Sequence, residues 1–169
     1  MTTIREEQPG DIAGVRQVHL LAFDRPAEAN LVDLLRERHL LLLSLVAEFT
    51  SRIIGHIAFT RVTLDPGPGS LTGAGLAPVA VLPEVQRQGV GSLLIHAGLD
   101  LCRQKSMDYV VVLGHPDYYP RFGFQPARQF GIACSWPVPE DVFLAMELRP
   151  GALANVHATA HYRPEFDSV

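Results

Sequence analysis

The residues best suited to chemistry form a short glycine-containing segment, Gln86-Arg87-Gln88-Gly89-Val90-Gly91, directly before an amphipathic stretch. A helix beginning there would present unpaired backbone N–H groups and a partial positive charge at its first turn. The glycines at positions 89 and 91 would let a bulky anion approach this backbone closely. Arg87 can add a charge-assisted contact. The segment therefore predicts a binding site for a diphosphate.

Two better-known phosphate-binding motifs do not fit this segment. The Gly-x-Gly-x-x-Gly motif has to follow the first strand of a parallel unit, and the Walker motif continues with Gly-Lys-Ser/Thr. A simple tight turn between a strand and a helix is the alternative interpretation. The preceding strand, Leu76 to Leu82, favours a ligand because Pro78 has no N–H for a ladder, so the strand must be irregular or unpaired on one side. Such a strand end beside an anion site would form a slot for an extended ligand that carries a diphosphate.

The order of the predicted elements indicates the fold class. Hydrophobic spacing and turn residues give the order β-α-α-β-β-β-α-β-α-β-β, which predicts an α+β fold with a mixed sheet flanked by helices. The last two strands are expected to pair with each other. Residues 1–150 are expected to form the domain, and residues 151–169 a tail that packs on it through Tyr162 and Phe166. The predicted strands cover residues 3–6, 41–49, 53–64, 76–82, 109–113, 131–135 and 142–148, the predicted helices 12–22, 28–38, 90–105 and 116–122, and a loop 65–69.

Composition argues against several classes of function. The chain has 169 residues, a net charge of −4 and a single lysine, which speaks against a nucleic-acid-binding surface. The apolar run from Leu40 to Val46 is too short to span a bilayer, and the N-terminus lacks a signal-peptide pattern. Cys102 and Cys134 have no metal-ligand spacing and indicate reduced thiols. We therefore expect a cytoplasmic protein with no bound metal, no nucleic-acid partner and no membrane partner.

The sequence resembles the Gcn5-related N-acetyltransferase (GNAT) family. The signature of that family is Gln/Arg-x-x-Gly-x-Gly/Ala after the fourth strand, which Gln86, Gly89 and Gly91 match. The stretch from Leu113 to Phe124 is similar to a later motif of the family, in which a tyrosine, here Tyr119, lies four residues before a Gly-Phe pair. The joint match indicates the cosubstrate and the type of reaction but not the acceptor.

Two further stretches, residues 75–83 and 162–166, are most similar to the YhbS-like branch of this family, a group of predicted acetyltransferases. The resemblance implies a mostly antiparallel sheet that splays between strands 4 and 5 and takes up acetyl-CoA in the gap. It implies direct transfer of the acetyl group to a primary amine of a small molecule or peptide, and a homodimer is compatible with it. The residues implied to bind acetyl-CoA are Val79, Ala80, Val81, Gln86, Arg87, Gln88, Gly89, Val90, Gly91, Ser92 and Tyr119.

The resemblance also implies catalytic roles. The backbone N–H of Val79 would polarise the thioester carbonyl, and Tyr119 would protonate the leaving thiolate, because a phenol with a pKa of about 10 can donate at neutral pH. Tyr119 could instead be a packed ring in an aromatic cluster. The family often carries a glutamate on the fourth strand, but residues 76–82 contain no acid. His56 is therefore our tentative general base, with His115 and Glu28 as alternatives, each acting directly or through water, and a satisfied strand histidine as the non-catalytic interpretation.

These features predict an acyl-CoA-dependent N-acyltransferase, and two other classes stay open. A CoA-binding sensor that has lost turnover would explain the missing strand carboxylate. A protein that binds another nucleotide diphosphate would use the same anion site. Release of CoA with a panel of amines distinguishes the enzyme from the sensor, and competition of CoA against ATP and NAD distinguishes the ligands.

Overall fold

The computed structural model describes residues 1–67 and 69–169, and Pro68 of the predicted loop lies outside the described residues. The chain forms two compact units. Unit 1 contains Met1–Phe59, Ala77–Leu99 and Pro164–Val169, and unit 2 contains Thr60–Leu76 and Asp100–Arg163. In the described residues no helix combines the length and the apolar character needed to cross a membrane.

Unit 1 contains the first two strands of the sheet, the third as far as Phe59 and the fourth from Ala77. These strands are β1 (Thr3–Glu6), β2 (Leu41–Phe49), β3 (Arg52–Asp65) and β4 (Gly73–Val81), and they lie side by side in that order. β1 and β2 are antiparallel. The β2–β3 turn consists of Thr50 and Ser51 with φ of 47° and 62°, the left-handed pair that a two-residue hairpin favours. The predicted bounds of β2 are confirmed, and those of β3 and β4 differ by a few residues.

Two helices, α1 (Ile12–Phe23) and α2 (Ala27–Glu37), follow the first strand. Their apolar faces bury Val15 and Val32 in one cluster with Val46 of β2, and Ile53 of β3 packs against that cluster. Burying one such side chain stabilises the fold by about 1.5–3 kcal/mol. The spacing of apolar residues therefore decides which face of each helix is turned to the strands.

The third helix, α3 (Val90–Gln104), begins in unit 1 and lies against β3 there. Two glycines permit this close approach. A methyl group at Gly98 would lie 2.4 Å from the ring of Phe59, and one at Gly55 would lie 3.0 Å from Leu94 Cδ1. Position 55 therefore faces α3, and its neighbour His56 faces the opposite side, because successive strand residues point to opposite faces.

Unit 2 contains five shorter strands. They are β5 (Tyr109–Leu113), β6 (Gln125–Pro126), β7 (Ile132–Cys134), β8 (Phe143–Glu147) and β9 (Ala158–His161). β4 pairs in parallel with β5, whereas β5 and β6 each pair antiparallel with β8. The Tyr109 hydroxyl donates to the Val62 carbonyl at 3.1 Å, and the ring crosses Gly73, where a methyl group would be 1.9 Å away. The predicted α+β class with a mixed sheet is confirmed.

The predicted pairing of the last two strands is wrong. β7 pairs in parallel with β9, which also pairs antiparallel with the end of β3, while β8 lies beside β5 and β6. Pro137 and Pro139 lie between β7 and β8, and proline offers no N–H for a hairpin ladder. β9 belongs to the stretch that was expected to be a tail, and just after it the ring of Tyr162 stacks on Trp136 at 5.0 Å. The helix predicted at 116–122 is only a short 3-10 helix, Tyr119–Phe122.

Candidate functional site

The predicted diphosphate-binding segment connects β4 to α3 in unit 1. Gln86 turns back onto the strand, and its side-chain N–H donates to the Val81 carbonyl at 2.9 Å. Arg87 and Gly89 both have positive φ, 61° and 90°. A left-handed residue other than glycine is disfavoured by about 1–2 kcal/mol, and such strain tends to cluster at functional sites. The two left-handed residues turn the chain sharply into the helix.

The first turn of α3 presents the backbone amides that the sequence predicts. Its first intrahelical hydrogen bond runs from the Leu93 N–H to the Gly89 carbonyl at 3.0 Å, so the amides before Leu93 precede the ladder of the helix. Residues 86–89 are exposed, and a Cβ at Gly89 would meet nothing within 4 Å. The backbone conformation, rather than a neighbouring side chain, therefore favours glycine at position 89. This open helix N-terminus has the partial positive charge that suits an anion.

The strand that leads into this segment is irregular, as Pro78 predicts. In the described residues the parallel ladder between β4 and β5 comprises three pairs, Gly73–Gly75 with Tyr109–Val111. Along the rest of β4, Ala77, Val79 and Val81 are half-buried, whereas Pro78 and Ala80 between them are buried. Residues 79 and 81 are two apart, so their N–H and C=O groups point to the same edge of the strand, which is what a ladder to an extended ligand requires.

Tyr119 lies in unit 2, at the start of the 3-10 helix that follows β5. Its buried ring makes edge contacts with Tyr118 and Phe124 at 5.2 and 5.8 Å between centroids, and it covers Gly114, where a methyl group would be 2.1 Å away. The aromatic cluster of the alternative interpretation is thus present. Burial, with a smaller contribution from Tyr118, raises the pKa of the Tyr119 phenol to about 12. The phenol therefore stays protonated at neutral pH, which is the form that a proton donor needs.

The three candidates for the general base differ in their surroundings. His115 is exposed, and its Nδ1 lies 3.8 Å from the exposed Asp117 carboxylate. Glu28 is buried and accepts a hydrogen bond from Arg25 Nε at 2.9 Å. His56 is completely buried on β3. Of the three, only His56 forms part of an extended hydrogen-bonded network.

Both ring nitrogens of His56 are engaged by side chains of unit 1. Its Nδ1 lies 2.8 Å from Nε2 of His19 on α1, and its Nε2 lies 2.8 Å from Oγ of Ser44 on β2. Ser44 in turn donates to Glu7 Oε2 at 2.7 Å. Glu7 forms an ion pair with Arg36 of α2. Neither nitrogen of His56 is therefore available to a substrate in this arrangement.

The two histidines are held in the neutral form. Burial is the main reason that the pKa of His56 lies well below its usual value, and His19 and Arg36 lower it further. Burial likewise lowers the pKa of His19 to about 4. The negative charge of Glu28 opposes this shift, and the positive charge of Arg36 adds to it. At pH 7 both imidazoles are therefore neutral, and each has a lone pair on one ring nitrogen.

The sequence analysis missed His19, Ser44 and Glu7. One signal was available, because His19 lies four residues after Val15 and directly after Val18, on the apolar face of α1. A histidine on such a face needs a polar partner. Its partner, His56, lies on β3, and Ser44 and Glu7 join the network from other parts of the chain, so no local sequence pattern specifies that meeting.

Unit 2 also contains an open cavity of about 420 Å³. Arg128 and Glu140 give it charges of both signs, and Trp136 gives it an aromatic wall. None of the predicted site residues lines it. In the described residues no group of three or more His, Cys, Asp or Glu side chains is arranged to hold a metal ion.

Comparisons with known proteins agree on the family. The model for the acetyltransferase (GNAT) domain matches residues 3–127. The uncharacterized N-acetyltransferase YhbS of Escherichia coli K12 is 36% identical over 165 residues, which cover 97% of this chain and 98% of YhbS. The uncharacterized N-acetyltransferase YjhQ of the same strain is 41% identical over 134 residues, 78% of this chain and 74% of YjhQ.

Solved structures show the same similarity in three dimensions. The crystal structure of Escherichia coli YhbS in complex with CoA has a TM-score of 0.93 at 35% identity, covering 98% of this chain and 92% of that one. A GNAT family acetyltransferase from Brucella melitensis in complex with acetyl-CoA has a TM-score of 0.82 at 34% identity, covering 99% of both chains. The chain belongs to the GNAT family of N-acetyltransferases.

Proposed function

We propose that this protein transfers an acetyl group from acetyl-CoA directly to a primary amine. The observation that carries the proposal is the course of the chain in unit 1, where the irregular half of β4 leads through a left-handed turn to an open helix N-terminus. An extended thiol-bearing arm with a diphosphate at its end is suited to both features at once. The CoA and acetyl-CoA found in the related crystal structures support this ligand over other nucleotide diphosphates.

Binding of acetyl-CoA would use backbone groups for the most part. Residues 79–81 would form ladder-like hydrogen bonds with the pantetheine arm, and the amides of residues 87–92 would hold the diphosphate. Gln86 already bonds the Val81 carbonyl. A carbonyl oxygen can accept two hydrogen bonds, so this contact leaves room for the ligand. Gln86 would then hold the turn in shape beside the diphosphate.

Catalysis would combine positioning with polarisation of the thioester. The Val79 N–H would donate to the carbonyl oxygen as negative charge develops there, which is the contribution of an oxyanion-hole donor. The amine nitrogen would form its bond to the carbonyl carbon, the C–S bond would break, and the Tyr119 phenol would protonate the departing thiolate. The role of Tyr119 is supported by its place in the family motif. Its raised pKa makes the phenol a weaker acid than usual, so the transfer depends on a well-placed thiolate.

The proposed function also includes a cellular location, an assembly state and a class of acceptor. We propose the cytoplasm as the location of the enzyme, because both cysteines are free thiols, as is usual in a reducing compartment. The proposed assembly is a homodimer. The acceptor class is a primary amine, either on a small molecule or on a peptide.

The function can be tested by measuring CoA release from acetyl-CoA with a panel of primary amines. The panel should contain amino acids, polyamines, aminoglycosides and peptides with free N-termini or lysines. We expect release with at least one amine, together with binding of CoA that ATP and NAD do not displace. Tight binding of acetyl-CoA without release on any amine would favour the acyl-CoA sensor instead. Displacement of CoA by ATP or NAD would point to a different diphosphate ligand.

A further inference from the structure

A continuous line of hydrogen bonds in unit 1 joins the half-buried Glu7 and Ser44 to a buried pair of histidines. It runs from Glu7 to Ser44, His56 and His19, with successive distances of 2.7, 2.8 and 2.8 Å. Its members come from four elements, since Glu7 follows β1, Ser44 is on β2, His56 is on β3 and His19 is on α1. Both histidines are completely buried. A polar line of this length inside a core has to be explained, because apolar side chains could fill the same space.

The chemistry of the partners fixes the direction of every hydrogen bond in this line. A carboxylate only accepts, so the Ser44 hydroxyl donates to Glu7 and its oxygen must accept from Nε2–H of His56. A neutral His56 then has a lone pair on Nδ1, which accepts from Nε2–H of His19. A neutral His19 in turn has its lone pair on Nδ1. The line therefore ends in one basic atom, His19 Nδ1.

That atom is buried and has no hydrogen-bond partner among residues 1–67 and 69–169. Buried polar atoms are almost always satisfied, so an unsatisfied acceptor indicates a site for a donor such as a bridging water or a substrate N–H. The charged groups acting on His19 are Glu28, Asp33 and Arg36, and those acting on His56 include Arg36. Neither acidic group bonds His19 directly. The ring of Phe23 is stacked on His19 at 5.9 Å and is 37% exposed, so it lies between the imidazole and solvent.

The line also has a defined place relative to the strand that we propose for the thioester. Gly55, the residue before His56, lies so close to β4 that a methyl group there would be 3.3 Å from the Ala80 carbonyl oxygen. Ala80 is the neighbour of Val79. His56 is therefore on the strand next to the amide proposed to polarise the thioester carbonyl, and His19 is bonded to it.

We propose that His19, His56, Ser44 and Glu7 form a proton relay that takes up the proton released by the acceptor amine. This inference rests on the proposed acetyl transfer. It replaces His56 as the receiving base with His19 Nδ1, the one atom of the line whose lone pair is open, reached through a bridging water. His56 and Ser44 are then positioning and relay residues.

The protons balance along the line. An ammonium acceptor loses two protons as it becomes an amide. One of them restores the Tyr119 phenol, which has given its proton to the CoA thiolate, and the other is taken up by the relay. That proton binds His19 Nδ1, while the Nε2 proton of His19 passes to His56 Nδ1. The Nε2 proton of His56 passes to Ser44 Oγ, and the Ser44 proton passes to Glu7. Each histidine and the serine end with as many protons as they began with, but both imidazoles then carry the proton on Nδ1 instead of Nε2, and Glu7 gains one proton. The line is restored when Glu7 releases that proton to solvent and the imidazoles regain their Nε2–H tautomers by exchange with water.

The substitution His19→Gln separates the relay from the packing. A glutamine amide N–H can still donate to His56 in place of Nε2, but it has no basic nitrogen in place of Nδ1. We expect kcat to fall about 10²-fold or more, as for loss of a general base, with acetyl-CoA affinity within about twofold of wild type. Ser44→Ala should lower kcat in the same direction while leaving both histidines in place. The matched control is His161→Gln, an exposed histidine on β9, which should keep the wild-type kcat.

Two further measurements test the relay as a chain rather than as a set of packed residues. In mixtures of H₂O and D₂O, kcat of the wild type should fall along a curved line as the fraction of D₂O rises, because several protons are transferred in the same step. In Ser44→Ala the plot of kcat against the fraction of D₂O should be closer to a straight line. Nitrogen-15 chemical shifts of the imidazoles should show His19 and His56 neutral at pH 7, each with its proton on Nε2. This spectrum is measured on the wild type and does not depend on whether a variant folds.

The outcomes distinguish this proposal from the proposed function. CoA release by the wild type combined with an unchanged kcat in His19→Gln would overturn the relay and leave the enzyme intact. A proton on His19 Nδ1 in the nitrogen spectrum would also overturn it. If the wild type releases no CoA with any amine, the proposed function fails, and the relay fails with it.

Discussion

Gly89 is the residue on which the anion site depends most directly. Its φ of 90° is unfavourable for any L residue, and the space around it is open. A carboxylate at this position would meet the diphosphate with charge of the same sign. We expect Gly89→Glu to weaken acetyl-CoA binding by roughly tenfold or more, which titration calorimetry can measure.

Gly151 provides the matched control for this substitution. It has a φ of 78° and likewise no heavy atom within 4 Å of an added Cβ, but it lies in a turn of unit 2. Gly151→Glu should therefore cost a similar amount of stability, about 1–2 kcal/mol, with acetyl-CoA affinity unchanged. Equal affinity in the two variants would mean that the turn before α3 is not where the diphosphate binds.

Tyr119 and its neighbour Tyr118 provide a test of the proposed general acid. Tyr119→Phe removes the hydroxyl and keeps the ring in its cluster, so we expect kcat to fall roughly 10²-fold while acetyl-CoA affinity stays within about twofold. Tyr118→Phe removes the hydroxyl from the adjacent ring and should leave kcat near the wild-type value. Steady-state kinetics on both variants, at an acetyl-CoA concentration that saturates each, decides the role. A wild-type kcat in Tyr119→Phe would leave Tyr119 with a packing role only.

The close contact between α3 and β3 depends on glycines, which have no side chain, at positions 55 and 98. A methyl group at Gly98 would overlap the ring of Phe59. We expect Gly98→Ala to destabilise the fold by about 1–3 kcal/mol through overpacking, although alanine favours a helix over glycine by about 1 kcal/mol. Gly10→Ala, at a position with no neighbour within 4 Å, is the control and should change stability little. Denaturant unfolding measures both, and a Gly98→Ala variant as stable as the wild type would show that α3 can shift away from β3.

The elements differ in how far the sequence predicts them. The bounds of β2 and β5 follow from their apolar runs and agree with the structure, and the start of α3 after Gly89 does as well. β9 was not predicted because its short segment, Ala158–His161, carries no strong strand pattern and forms through pairing with β3 and β7. Local pattern specifies a strand when it is long and apolar, but not the partner it meets.

The residues of the candidate site also differ in how far the sequence predicts them. The turn from Gln86 to Gly91 could be located from its residue types, because a diphosphate site built on backbone amides depends on local glycine chemistry. The family motif pointed to Tyr119. The line that joins Glu7 to His19 could not be found in this way, since its members are brought together by four separate elements. His56 was singled out as a base, but its two engaged nitrogens could be recognised only in the folded chain.

For the molecule as a whole, the buried histidine pair links stability to pH. His19 and His56 have lowered pKa values in the folded state, so between pH 6.5 and about 4 the unfolded chain binds more protons than the folded one. Stability should therefore be fully present above pH 6.5 and decline as the pH falls below it. For His19 alone, a shift from 6.5 to about 4 corresponds to a loss on the order of 3 kcal/mol.

Thermal unfolding between pH 7.5 and 4.5 tests this linkage. The wild type should lose Tm steadily below pH 6.5, and His19→Gln should lose less over the same interval because glutamine does not titrate. His161→Gln, which removes an exposed histidine, should follow the wild-type curve. Parallel curves for the wild type and His19→Gln would mean that the buried pair does not control acid sensitivity.

The segment Pro164–Val169 belongs to unit 1 together with the first two helices, and Arg38 after α2 bonds the buried Glu165 at 2.8 Å. During synthesis this segment leaves the ribosome after every residue of unit 2. Unit 1 therefore cannot be completed while the residues of unit 2 are still being synthesised. During that period α2 lacks its contact with the segment Pro164–Val169.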